Sequence, residues 1–390
     1  MYPRLELLRA LLAENGSIWV TIDDHESHYL KVMMDEVFGR RNFIGEIAWQ
    51  KRTSRENRAA ISSAHDTILL YARMPDVKWK KHRNLQLPTG KGFSNPDHDS
   101  RGEWKSIPFT AQGYRENQMY PIMTPTGLTL LPPRGRCWAA TEPEYLKQRD
   151  VENKVYFPKK GNGRPRIKRF PWEDTGLVPM TIWFASEAGD TEDAKKEILA
   201  LFDYEDPFST PKPEKLIRQV LQIATNPGDI VLDSFLGSGT TAAVAHKMGR
   251  RYIGIEREEH ALTYCAPRLK KVVDGEQGGV SEAVGWKSGG GFHFYKLGSP
   301  VFDEEGQINP AVRFLHLAAH VWFSETLIPL PHPRRRSSLL GVHNGVGYYL
   351  LFNGILGDKR PDGGNVLTRR LLAELSGIAL WAERRTRNQL

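Results

Sequence analysis

Ile230-Val-Leu-Asp-Ser-Phe-Leu-Gly-Ser-Gly-Thr-Thr-Ala-Ala-Val-Ala245, followed by Tyr252-Ile-Gly-Ile-Glu256, decides the fold. Ile230–Asp233 reads as a buried strand ending in an acid. Ser234–Gly239 is a glycine-containing loop, Thr240–Ala245 opens a helix, and Tyr252–Glu256 is a second strand ending in an acid. Strand, tight loop, helix, strand is the unit of a parallel α/β sheet, whose ligands bind beyond the carboxyl ends of the strands. Gly237 and Gly239 lack Cβ atoms and let a ligand lie against bare backbone. The helix from Thr240 points free N–H groups at that ligand and favours an anionic group. Glu256, 17 residues beyond Gly239, stands where an acid reaches the two hydroxyls of a ribose. The geometry is that of an adenosine pocket. Gly237-Ser-Gly-Thr-Thr-Ala242 also fits the dinucleotide pattern G-x-G-x-x-A, so a nicotinamide cofactor remains an alternative.

Outward from this unit the texture is uneven. Residues 1–75 alternate helix and strand. Leu5, Leu7, Leu8, Leu11 and Leu12 recur at helical spacing, and Asn15-Gly16 predicts a left-handed stop. Ser17–Ile22, Phe43–Trp49 and Thr67–Ala72 read as strands. Tyr29, Val32, Met33 and Val37 form the stripe of a helix that Asp23-Asp24 can cap. Residues 76–180 are punctuated by Pro, Gly and basic residues and read as an irregular inserted module. Residues 181–275 return to regular α/β, with a helix striped by Leu216, Ile217, Val220, Leu221 and Ala224. Residues 276–390 form a glycine-rich start and a mixed tail.

The 390 residues carry 54 Lys+Arg against 46 Asp+Glu, a formal +8. Seven of those basic residues lie between Lys154 and Arg169 with no acid among them, a run that attracts phosphate backbones. No stretch approaches the roughly 18 apolar residues of a membrane span. Two cysteines, Cys137 and Cys265, exclude a disulfide framework and a cysteine-rich zinc site, and the natural compartment is the reducing cytoplasm. No metal site is expected, Cys137 reads as packed beside Trp138, and Arg334-Arg335-Arg336 as an exposed basic loop.

Asn226–Thr241 resembles the S-adenosylmethionine motif of amino-group DNA methyltransferases, and Thr210-Pro-Lys-Pro-Glu-Lys-Leu216 resembles the companion motif that packs over the same cofactor. The companion precedes the glycine motif, as in the permuted β group. Ser17–Glu26, Ile47–Lys51, His65–Arg73, Pro132–Trp138 and Gly285–Gly298 are similar to the modification subunits of type III restriction systems. The resemblance implies a Rossmann-like methyltransferase sheet, permuted, with an α+β insertion for target recognition and a C-terminal α/β extension. It implies that Asp233, Phe235, Gly237 and Gly239 line S-adenosyl-L-methionine, with Thr210 and Lys212 nearby. Ser238, Thr240 and Thr241 would bind its carboxylate, and Glu256 its ribose. Arg136, Lys159, Lys160, Arg164, Arg166, Lys168 and Arg169 would face double-stranded DNA. A helicase–nuclease restriction subunit and a second copy of the chain are the further partners it allows, and adenine N6 is the implied target.

The sequence departs from this family in one respect. The motif Asp/Asn/Ser-Pro-Pro-Tyr/Phe, which orients the target amine and stacks on the flipped base, is absent. Asp206-Pro207-Phe208 and Leu131-Pro-Pro-Arg134 do not supply it. In the β group it lies N-terminal to the segment matching Met1–Glu14, so the expectation is a fragment lacking its central strand and its catalytic loop. About five or six residues of ladder would go unpaired at about 1–3 kcal/mol per buried group, against a domain stability of about 5–15 kcal/mol. Methyl transfer by this polypeptide alone is therefore not expected. A non-catalytic DNA-binding remnant is the competing reading.

Overall fold

The computed structural model describes every residue except 87–91, 175, 203–207, 258, 331–336 and 376–390. The chain divides into two compact units, Met1–Phe292 and His293–Leu390.

The first unit begins with α1 (Tyr2–Leu11), β1 (Ser17–Ile22), α2 (Ser27–Phe38), β2 (Phe43–Gln50) and β3 (His65–Ala72). β3 lies between β1 and β2 and runs antiparallel to both, with Val20 opposite Leu69 and Ile47 opposite Ile68. The expectation for this stretch was alternating helix and strand, and β2 and β3 depart from it by following each other without a helix. The helix-free connection 51–64 lets the chain turn straight back, which makes an antiparallel neighbour. β3 is buried on both faces, and its two-residue period divides the core. Leu69 and Tyr71 meet Leu5, Leu30, Met34, Val37 and Phe38, while Ile68, Leu70 and Ala72 meet Trp49, Trp79, Trp183 and Leu216.

Three local expectations change here. In α2 the buried residues are Leu30, Met34, Val37 and Phe38, whereas Tyr29 and Val32 are exposed. Val37 and, in part, Met33 of the expected stripe do meet the core, so the buried face is rotated away from Tyr29 and Val32 only. The helix starts at Ser27 and has no side-chain cap, and Asp23 meets it only through its carbonyl, which accepts the Ser27 N–H at 3.1 Å. α1 stops at Leu11 in an extended residue, without a left-handed glycine. Gly16 is required by space instead, since a Cβ there would lie 2.9 Å from the Leu12 side chain and 3.0 Å from the Ala13 carbonyl.

The middle module is built of short strands. They are β4 (Lys105–Pro108), β5 (Thr110–Gln112), β6 (Ile122–Met123), β7 (Thr129–Leu130), β8 (Arg136–Trp138), β9 (Val155–Tyr156) and β10 (Arg166–Arg169). They form sheets β4-β10-β9, β5-β8 and β6-β7 around Phe109, Tyr120, Ile122, Trp138 and Tyr145. The Trp138 indole N–H donates to the Tyr120 carbonyl at 2.7 Å, so this buried polar group is satisfied. Cys137 is fully buried beside it.

The chain then returns to the first sheet. β11 (Ile182–Trp183) adds to β2 in parallel, giving the order β1-β3-β2-β11. α3 (Thr191–Leu201) follows, capped by the Asp190 carboxylate on the Glu192 and Asp193 N–H groups. α4 (Glu214–Ala224) joins two cores. Leu216 and Ile223 pack on the first sheet, while Leu221 and Ile217 pack against Val231 and Val244. β12 (Ile230–Asp233), α5 (Thr240–Lys247) and β13 (Arg251–Gly254) form the expected parallel β-α-β unit, with Asp233 opposite Gly254. α6 (Ala266–Val273) packs on α5.

β12 and β13 are paired only with each other, and no strand among the described residues bridges the two sheets. As a result β12 is not the buried strand its apolar run predicts. Val231 is covered by α4 and α5, but Ile230, Ile253 and Ile255 are each more than half exposed.

Residues 276–292 belong to the first unit and not, as expected, to the C-terminal extension. Val280 lies in the core of β12 and α5, and His246 Nε2 is 2.9 Å from the Gly289 carbonyl oxygen. The second unit contains α7 (Phe314–Thr326) and the hairpin of β14 (Leu339–His343) and β15 (Val346–Tyr349). Asn344-Gly345 turns that hairpin with φ of 48° and 78°, as a two-residue loop of this twist requires. Trp322 packs against Gly341, where a Cβ would lie 2.8 Å from the indole.

Candidate cofactor site and nucleic-acid interface

β12 and β13 end side by side, and their acids converge on the loop between β12 and α5. Asp233 Oδ1 accepts the Phe235 N–H at 3.0 Å. Glu256 Oε2 accepts the Gly237 N–H at 2.6 Å, and its other oxygen accepts the Arg257 N–H at 3.0 Å. A carboxylate offers about four lone-pair positions, so acceptor capacity remains on Glu256. Gly237 and Gly239 have φ of 57° and 83°, a region costly for residues with a Cβ. The two glycines also make room for protein. A Cβ on Gly237 would lie 3.2 Å from the Phe208 ring, and one on Gly239 would lie 3.1 Å from Cys265 Cα.

The start of α5 carries no side-chain cap and no acid in its first turn, leaving N–H groups to a ligand. Phe235 is 56 % exposed at the same loop. The cradle, the acids and the exposed ring fit an adenosyl group carrying a carboxylate.

The remaining predicted cofactor residues divide. Thr241 is half-buried in the first turn of α5, and Thr210 is exposed ahead of α4. Ser238 and Thr240 are buried, and their hydroxyls lie 3.2 Å apart. Thr240 Oγ1 donates to the Lys212 carbonyl at 3.1 Å and accepts from Arg268 at 2.9 Å. The expectation that these two hydroxyls bind a carboxylate is therefore corrected, because an internal network turns them inward. The Lys212 ammonium lies 4.0 Å from Asp66 and over the Trp49 ring. Burial holds its pKa below the usual lysine value, against the pull of Asp66. Through its carbonyl and its side chain, Lys212 touches the elbow and the first sheet at once.

Two features were not read from the sequence. Phe208 stands beside Gly237 and packs edge-on against His260 and Tyr264. Asp206 and Pro207 before it lie outside the described residues. The second feature is a buried charge cluster in which Glu214 bonds Lys247, Arg268 and the Val280 N–H. Burial would raise the Glu214 carboxyl, but Arg268 and Lys247 outweigh it and hold it below the ordinary range. Next to it, burial and the Glu214 charge push Glu197 up to about 7. Glu197 lines a cavity of about 670 Å³ with Lys196, Lys271, Asp274 and Glu276. The Cys265 thiol donates to the Gly237 carbonyl and is pushed up to about 12 by burial, which removes it as a nucleophile.

In the middle module the basic run comes apart. Lys159 and Lys160 are exposed in a turn closed by the Gly163 N–H on the Pro158 carbonyl, with φ of 54° and 52°. Arg164 and Arg169 are also exposed. Lys168 is not available to DNA, because it is 4 % exposed and paired with Asp97 and with Asp99 at 2.6 Å. Arg101, and after it Lys168, hold the Asp99 carboxyl well below the usual carboxylate range. Arg166 donates to the Ser106 carbonyl at 2.9 Å, and Arg136 donates to the Thr110 carbonyl at 3.0 Å. Lys154 is paired with Glu173 at 2.7 Å. Acids distant in sequence thus neutralise part of a run that contains none. Arg334–Arg336 lie outside the described residues.

A family model described as DNA methylase, covering N6 and N4 methyltransferases, matches residues 1–266. The chain belongs to the DNA methylase family. The match excludes the nicotinamide alternative. Curated relatives of this methylase include the type III restriction-modification enzyme StyLTI Mod subunit of Salmonella typhimurium. It is 33 % identical over 250 residues, covering 62 % of this chain and 36 % of the relative. The probable HindVI Mod subunit of Haemophilus influenzae is 28 % identical over 76 % of this chain and 47 % of its own length. The type II methyltransferase M.EcaI of Enterobacter cloacae is 30 % identical over 69 % and 56 %. The methylase chain thus spans about a third to a half of these relatives. Among solved structures, the M1.HpyAVI–SAM complex is similar at 15 % identity and a TM-score of 0.32, covering 70 % of this chain and 82 % of that one. No helix among the described residues is long and apolar enough to cross a membrane.

Proposed function

We propose that this methylase chain binds S-adenosyl-L-methionine on the Gly237–Gly239 elbow and duplex DNA through its middle module. In this reading it is the cofactor-binding and target-recognition part of an adenine-N6 DNA methyltransferase. The observation that carries the reading is the Glu256 carboxylate against the Gly237 N–H at 2.6 Å. This contact brings the acid of one strand end to the glycine loop of its neighbour.

When bound, the cofactor supplies an electrophilic methyl group. The residues of this chain hold and orient. Glu256 would accept from the ribose hydroxyls with its remaining lone pairs, Phe235 would line the adenosyl group, and Thr241 with the start of α5 would receive the carboxylate. Lys159, Lys160, Arg164 and Arg169 meet phosphates, which fix register without reading sequence. The relatives are named Mod subunits of restriction-modification enzymes, which supports a restriction subunit as partner; its helicase–nuclease type and a cytoplasmic location are our inference from the resemblance.

The 390 residues contain no Asp/Asn/Ser-Pro-Pro-Tyr/Phe to orient an exocyclic amine. Cofactor and DNA binding without methyl transfer is therefore the outcome expected of this polypeptide. Calorimetry with S-adenosyl-L-methionine, and incorporation of labelled methyl into DNA, test the two halves. Absence of cofactor binding overturns the first and favours the DNA-binding remnant. Incorporation overturns the second.

A further inference from the structure

The cofactor elbow is held from beneath by a charged group that is wholly out of water. Arg268, on α6, has no exposed surface. Its Nη1 donates to Thr240 Oγ1 at 2.9 Å and lies 3.5 Å from the Ser238 carbonyl, while Nη2 donates to Glu214 Oε1 at 2.9 Å. Glu214 opens α4, directly after the Thr210–Pro213 segment. Its second oxygen accepts the Val280 N–H at 3.0 Å and the Lys247 ammonium at 2.8 Å. Lys247 is paired in turn with Glu276. Thr240 closes the circuit by donating to the Lys212 carbonyl.

One planar guanidinium therefore links the elbow, the segment that packs beside it, and the 276–280 loop. Stability alone does not account for this arrangement. Buried ion pairs contribute little or nothing net compared with apolar packing of the same volume. What apolar packing cannot do is fix a hydroxyl and a carbonyl at set distances, which a rigid fork of donors does. The two elbow groups it holds, Ser238 and Thr240, flank Gly239, whose positive φ starts α5.

We propose that Arg268 is a positioning residue for S-adenosyl-L-methionine. It holds Ser238 and Thr240 inward and so sets the backbone on which the cofactor lies. The inference rests on the cofactor reading above. Arg268 touches no ligand itself and acts through the elbow.

Arg268→Lys keeps a charge opposite Glu214 but loses the fork. Two readouts on the 390-residue chain test it, hydrogen–deuterium exchange of the 237–243 amides and calorimetric affinity for S-adenosyl-L-methionine. Both are expected to change by about tenfold, towards faster exchange and weaker binding, while exchange in β1 to β3 stays at the wild-type level. Thr240→Val removes the elbow's half of the same bond and leaves the Arg268–Glu214 pair standing. It makes the same test if Arg268→Lys does not fold. Wild-type affinity in a folded variant overturns the proposal. So does weaker binding without faster elbow exchange, because the effect would then not run through the elbow. If the wild-type chain binds no cofactor, the cofactor reading falls, and with it this role of Arg268. The exchange data then decide only whether Arg268 holds the elbow.

Discussion

The Glu256 carboxylate caps the Gly237 N–H at 2.6 Å, across the parallel pairing that sets Asp233 opposite Gly254. Because the two strands are joined through α5, their carboxyl ends point the same way, and the loop of one falls under the acid of the other. Glu256→Ala removes both an acceptor and a charge, worth about 1.5–3 kcal/mol for a charge-assisted bond. The expected result is an S-adenosyl-L-methionine Kd about tenfold or more weaker by calorimetry, in a chain that still folds. An unchanged Kd would remove Glu256 from the site.

The two glycines flanking β12, Gly228 before it and Gly239 after it, separate strain from collision. Gly228 has φ of 87° with nothing near its Cβ position, whereas Gly239 has φ of 83° and Cys265 Cα 3.1 Å away. Gly228→Ala is expected to cost about 1–2 kcal/mol through the left-handed backbone alone. Gly239→Ala adds a backbone collision and is expected to cost about 1–3 kcal/mol more. Urea denaturation of the two variants compares them, and equal costs would mean that α6 yields to the new methyl.

Glu197 gives the chain a pH dependence of defined sign. Its carboxyl is pushed up to about 7 by burial first and the Glu214 charge second, from an ordinary value of 4.5. Between those values the folded chain binds more protons than the unfolded one, so stability falls as pH rises through that window. The folded-state advantage is complete below about 4.5 and is lost by about 7. Glu197→Gln keeps an acceptor for the Glu214 N–H and removes the titration. The stability of the wild type relative to this variant, read from thermal melts, is expected to decline from pH 5 to pH 7.5 by an amount on the order of 2 kcal/mol. Parallel pH profiles would contradict the burial of Glu197.

The β-α-β unit was legible because its signals are local. Two apolar runs, two terminal acids and the glycines between them settle each other's place within 27 residues, Ile230 to Glu256. The antiparallel course of β3 was not legible, since Thr67–Ala72 reads the same in either direction and only the helix-free 51–64 connection decides it. The phase of α2 was half legible, with Val37 and Met33 facing the core but not Tyr29 and Val32, because apolar residues surround the helix and the sheet chooses the face. Ser238 and Thr240 were misread because their inward partner, Arg268, lies 28 residues or more away and carries no motif. Buried charge pairs leave no periodic trace, so nothing in the sequence marked Glu214 and Lys247 as a buried pair.

The same blindness affects the basic run, and here the structure changes which residues a DNA-binding experiment should target. Lys168 is enclosed by Asp97, Asp99 and the Trp104 ring, while Lys159, Lys160 and Arg164 stand in solvent on the turn after β9. Each phosphate contact contributes close to one unit to the slope of log affinity against log salt. Single alanine substitutions at Lys159, Lys160 or Arg164 are expected to lower that slope by up to about one unit and leave the thermal midpoint nearly unchanged. Lys168→Met is expected to do the reverse. It leaves Asp97 without its close cation and Asp99 with Arg101 alone, which costs up to about 3–5 kcal/mol, the range for a buried pair broken on one side, and it leaves the salt slope of the folded fraction as in the wild type. Fluorescence anisotropy with a labelled duplex over a salt series, beside a urea melt, reads both quantities. A reduced slope in folded Lys168→Met would place that ammonium on the phosphate backbone and overturn its assignment to the interior.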